Sequence, residues 1–126
     1  MYLVGGLCCV GRAEEGLELA RKAMESEPFP APWFYTELGS AYRCLRRLDE
    51  AIETLLDAVT RAPYINNHIL LALAFAELGR LEEAQTHAKK ATRIGPHFSR
   101  DVFFKVYQDP QERERNLALA HQAGLP

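Results

Sequence analysis

Apolar and polar positions follow a helical period along most of the chain, and three eighteen-residue stretches repeat one pattern: GRAEEGLELARKAMESEP, RRLDEAIETLLDAVTRAP and GRLEEAQTHAKKATRIGP. Each opens with acidic residues and carries apolar or small residues at three- and four-residue spacing. That is the signature of a helix with one buried face. Each stops at a proline, Pro28, Pro63 or Pro96, which cannot continue a helix and disfavours helical backbone just before it. A second apolar stretch precedes each of the three. In the middle copy the pattern predicts a first helix over residues 33–45 and a second over 49–61, joined by a tight Arg46-Arg47-Leu48 corner. Ala41, Ala51 and Ala58 are small where two helix backbones approach, and Leu38, Tyr42, Leu48, Ile52 and Leu55 supply the buried bulk.

Alignment puts Arg12, Arg47 and Arg80 in register, together with the three prolines, so a unit of about 34 residues recurs. One such helix pair has too little apolar area on its own. The units are therefore expected to stack into an α-solenoid.

Within this frame Tyr35, Leu38, Gly39 and Tyr42, followed by Ala51, Leu55 and Pro63, resemble the tetratricopeptide repeat. The third unit keeps Leu71, Phe75, Gly79, Ala84, Ala91 and Pro96, but has Ala72 where the family has glycine and Ala88 where it has an aromatic residue. The first keeps Leu3, Leu7, Gly11, Ala23 and Pro28, with Gly16 at the close-packing alanine. The expected fold is all-α, three such helix pairs (residues 1–30, 32–64 and 65–98) and an extension over 99–126 ending in a capping helix. The first pair is short at its amino end, as if the chain opened inside a helix of a longer protein or at an internal methionine.

Beyond Pro96 the period stops. Asp109 as a cap, Pro110 at the first helical position and Glu112 shortly after predict a helix start, and Gly124 a matching stop. Leu117, Leu119, Ala120 and Ala123 would give that helix apolar contacts. The run DPQERER and the closing AGLP are similar to the ends of tetratricopeptide regions attached to bacterial class III adenylate or guanylate cyclases and some winged-helix regulators. This likeness implies a second reading, in which the chain is the regulatory end of a larger signalling protein and any catalysis lies elsewhere.

Composition narrows the function further. The 126 residues carry 15 Lys and Arg against 17 Asp and Glu, a formal charge of -2 that offers no basic excess for nucleic acid. The longest apolar run, residues 69–76, is far shorter than the roughly 20 residues of a membrane span. Cys8, Cys9 and Cys44 fit no metal or redox spacing and read as reduced thiols of a cytoplasmic protein. The opening MYLVGGLCCV has an apolar core like a signal peptide but no positive leader, and reads as a helix remnant. His68, His87, His97 and His121 show no metal-ligand spacing and are expected at the surface. With no nucleophile elbow and no glycine-rich phosphate loop, neither an enzyme, a cofactor nor a metal site is expected.

What remains is binding. The family resemblance implies a concave face built from the first helix of each unit, receiving an extended peptide or a partner helix. Carried onto this chain, that face comprises Trp33, Thr36, Ser40 and Arg43 from the middle unit and Asn66, Ile69 and Leu73 from the third. Only Arg43 is cationic there, which argues against the clamp that some relatives form around a partner's terminal carboxylate. The third unit's first helix, NNHILLALAFAEL, is apolar nearly all round and must be covered on both sides. The expected cover is the segment 98–107 with the last helix. A homodimer formed through the broken amino-terminal helix, with Leu3 and Leu7, is a further reading.

Overall fold

The computed structural model describes residues 12–126. The predicted first helix of the first repeat, with Leu3, Leu7, Cys8, Cys9 and Gly11, lies outside the described residues. The chain divides into two compact units, one ending at Pro63 and the other running from Tyr64 to Pro126.

The amino-terminal unit contains α1 (Ala13–Ser26), α2 (Pro32–Cys44) and α3 (Leu48–Arg61). Helix α2 packs against both α1 and α3. Ala20, Ala41, Ala51 and Ala58 are wholly buried, and Gly16 is buried too, so small side chains do lie at the close approaches. Leu55 fills the α2–α3 interface where Gly39 leaves room, because a Cβ at Gly39 would stand 2.6 Å from the Leu55 Cγ and Cδ2 atoms.

The carboxy-terminal unit contains α4 (Ile65–Glu77), α5 (Leu81–Ile94), the short α6 (Arg100–Phe103) with a 3-10 turn over Phe104–Val106, and α7 (Pro110–Ala123). Helix α4 packs against α5 on one side and α7 on another, and every residue from Asn67 to Ala76 is buried. The two departures from the family pattern explain each other. Ala72 stands in the register position of Gly39 and Ala88 in that of Leu55; both are buried, so the Cβ that α4 gains is matched by the bulk that α5 gives up.

Helix ends follow one recurrent geometry. After α2 the Arg47 N–H donates to the Tyr42 carbonyl (2.9 Å), after α4 the Arg80 N–H to Phe75 (2.9 Å), and after α7 the Leu125 N–H to Ala120 (2.9 Å). These six-residue closures need a left-handed residue just before the donor. Gly79 (φ 79°) and Gly124 (φ 87°) supply it without strain, whereas Arg46 occupies it at φ 62°. At the start of the next helix, arginine pairs with the glutamate three residues on: Arg12 with Glu15, Arg47 with Glu50 (2.7 Å) and Arg80 with Glu83 (2.6 Å). The Arg47 and Arg80 guanidinium groups also lie 4.9 Å from the ring centres of Tyr42 and Phe75. The in-register arginines thus hold the corner between the helices of a pair.

The expected helix at the chain's end forms over the expected residues. Asp109 accepts from the Gln111 N–H (2.9 Å) with Pro110 in the first turn, and Leu119, Ala120 and Ala123 are buried. The cover over α4 differs from expectation in one respect. Helix α7 packs on α4, whereas α6 and the 3-10 turn pack against α7. The aromatic side chains of residues 98–107 form a run of their own, Phe98 to Phe103 (5.4 Å between ring centres), Phe103 to Phe104 (5.0 Å) and Phe104 to Tyr107 (6.0 Å).

Candidate functional site

The residues expected on a binding face are unequal in the structure. In the amino-terminal unit Trp33 and Ser40 on α2 are half-buried, Thr36 is 7% exposed and Arg43 is 1% exposed. In the carboxy-terminal unit Asn66 is exposed, whereas Ile69 and Leu73 are fully buried. Arg43, expected on that face as its one cation, therefore lies in the interior. The register carries a signal for this, since Arg43 corresponds to Ala76 and Thr36 to Ile69, both buried positions of the next repeat.

The burial of α4 follows from its packing. Its apolar stripe is wider than one partner helix can cover, and α5 and α7 take the two sides. A half-buried ion pair spans the contact with α7: Arg115, whose side chain is 37% exposed, reaches Glu77, whose side chain is 10% exposed, at 2.7 Å. Asn116, 2% exposed, donates from Nδ2 to the Glu112 carbonyl (2.9 Å).

Helix α2 presents a different surface. Trp33 stacks on Phe34 with ring centres 4.0 Å apart, and both remain half-buried; nearby in sequence, Phe29 is 89% exposed. The Arg61 guanidinium lies 4.0 Å from the centre of the Tyr35 ring, so the far side of this helix is tied to α3.

The expectation of surface histidines is corrected for two of the four. His68 on α4 is 5% exposed, and its Nδ1 lies 3.1 Å from the Nδ1 of His87 on α5, so that one ring donates and the other accepts. His87 also stacks on Phe75, ring centres 5.6 Å apart. Burial lowers the His68 pKa, helped by Lys90; burial, then His68 and Lys90, lowers that of His87 to about 4. The pair joins residues of different helices, so spacing along the chain gave no sign of it. Among the described residues no three His, Cys, Asp or Glu side chains come together as a metal cluster, and no described helix is long and apolar enough to cross a membrane.

A family model for the tetratricopeptide repeat matches residues 34–64 and again 65–97, together half of the chain. The first match spans α2 and α3, the second α4 and α5. Comparison with curated proteins gives no match. Repeats of this family generally mediate protein–protein interaction and are typically non-catalytic. With two matched repeats, the helix pairs that they predict and the shared corner geometry, the chain belongs to the tetratricopeptide repeat family.

Proposed function

We propose that this chain is an adaptor that binds a peptide or a helix of a partner protein through α2 of its amino-terminal unit. One observation carries the reading: α4 is buried from Asn67 to Ala76 with α5 and α7 packed on it, whereas α2 keeps Trp33, Phe34 and Ser40 only half-buried. A half-buried aromatic pair offers a partner large contact area at small conformational cost. Trp33 and Ser40 are the contact residues in this reading. Thr36 and Arg43, buried on the same helix, support that surface from beneath, whereas Ile69 and Leu73 belong to the covered α4. The same role serves a stand-alone cytoplasmic adaptor or the regulatory end of a larger signalling protein.

Site-directed photo-crosslinking in extracts of the native host tests this. A photo-reactive residue at Ser40 or Trp33 is expected to give a discrete protein adduct, and one at the exposed Glu53 on α3 none. Equal adducts from all three positions, or none from any, would overturn the assignment of α2.

A further inference from the structure

Past the end of α7 the chain forms one wall of a cleft of about 510 Å³, lined by Lys89, Thr92 and Arg93 of α5 and by Gly124 and Pro126. The volume falls in the range of ligand-sized sites. Its far wall is fixed by Arg100, whose guanidinium donates to the Leu125 carbonyl (2.6 Å) and whose N–H donates to the Pro126 backbone oxygen (2.7 Å). Leu125 is 1% exposed and anchors this wall from below. This wall is therefore held in place, which lowers the ordering cost of binding against it.

Arg93 is distinctive in this molecule. Arg12, Arg47, Arg61, Arg80 and Arg115 pair with carboxylates. Arg21, Arg46, Arg100 and Arg113 donate to hydroxyl or carbonyl oxygens, and Arg43 is likewise engaged. Among the described residues Arg93 alone of the arginines has no such partner. Lys89, one turn earlier on the same face of α5, also has none. Thr92 between them donates its hydroxyl to the Ala88 carbonyl (2.9 Å), and its oxygen retains lone pairs.

We propose that this cleft docks an acidic segment of a partner protein, with its carboxylates on Lys89 and Arg93. Two unmatched cations one helical turn apart at the edge of a cleft complement a short acidic peptide. A nucleic acid would call for a row of cations along its phosphates rather than one pair. The inference rests on the adaptor reading and adds a second contact point with defined chemistry.

Fluorescence anisotropy of the full chain with a labelled Asp/Glu-rich hexapeptide tests it. Saturable binding is expected, weakened at higher salt, with Arg93→Glu and Lys89→Glu each raising Kd by about tenfold or more. Lys22→Glu, the same charge change on the exposed face of α1, is expected to alter Kd by less than about twofold if the effect is local rather than a matter of net charge. Melting curves establish that the variants fold. No saturation up to about millimolar peptide, an affinity far below that of specific recognition, would overturn the proposal. So would equal losses in Lys22→Glu, or a single-stranded oligonucleotide displacing the peptide more effectively than unlabelled peptide does. Adducts at Ser40 without peptide binding would remove the cleft alone; peptide binding without those adducts would remove the α2 surface alone.

Discussion

Replacing Gly39 by alanine should have opposite effects depending on what stands at position 55. In the native chain the new methyl group would lie 2.6 Å from both Cγ and Cδ2 of Leu55, whereas ordinary contact begins at 3.4 Å. Leu55 is fully buried and has nowhere to retreat. Overpacking of this kind costs about 2 kcal/mol, and the better helix propensity of alanine returns about 1 kcal/mol. Gly39→Ala alone is therefore expected to destabilise by about 1 kcal/mol. Leu55→Ala alone removes a buried side chain and should cost about 2 to 5 kcal/mol. In the Leu55→Ala background the clash is gone, so Gly39→Ala should now stabilise by about 1 kcal/mol, giving a coupling of about 2 kcal/mol. The double variant recreates the Ala72 and Ala88 pair that the chain already uses one repeat later. Urea unfolding followed by far-UV circular dichroism, fitted with a common slope, measures all four corners of the cycle. A Gly39→Ala effect of the same sign in both backgrounds, with coupling below about 0.5 kcal/mol, would refute the packing argument.

Three further outcomes follow from other parts of the structure. Arg46→Gly relieves a left-handed backbone at a position where Gly79 serves the next repeat, and should raise stability by about 0.5 to 1 kcal/mol in the same assay. Arg43→Glu places a carboxylate at a 1% exposed site and should cost at least about 3 kcal/mol, read as a lowered urea midpoint. The His68 and His87 pair favours neutral rings, so its contribution is full above the unfolded histidine pKa near 6.5 and is lost as pH falls towards the folded value of about 4 for His87. Comparing urea midpoints at about pH 7 and about pH 4.5, the native chain should lose more stability than His87→Gln over that interval.

The paired helices were legible in the sequence because three features agreed in register: the spacing of small and large apolar residues, the arginine at each corner and the proline after each second helix. The last helix was legible from local chemistry, since Asp109 and Pro110 start it and Gly124 stops it through backbone bonds that depend on those residues themselves. Its destination against α4 was also foreseeable, because a helix as apolar as residues 65–77 needs cover on more than one side. Features that depend on two distant residues were hidden. The pairing of His68 with His87 arises only when α4 and α5 lie antiparallel, and the burial of Phe104 and Leu125 reflects the path of the chain around α7. Arg43 lay between these cases. Its charge suggested solvent, but its alignment with Ala76 marked an interior position, and the packing environment prevailed over the residue's own preference.

Thiol labelling kinetics test most directly whether α2 is open to a partner while α4 is covered. With Cys8, Cys9 and Cys44 replaced by alanine, single cysteines at Ser40 and Leu73 would be reacted with a maleimide under native conditions. The thiol at the half-buried position 40 should react without any opening of the fold, and the thiol at position 73 should be slower than it by about a hundredfold or more because it reacts only on opening. Equal rates at the two positions would mean that α4 is as accessible as α2, and the division between a covered helix and a binding helix would be contradicted.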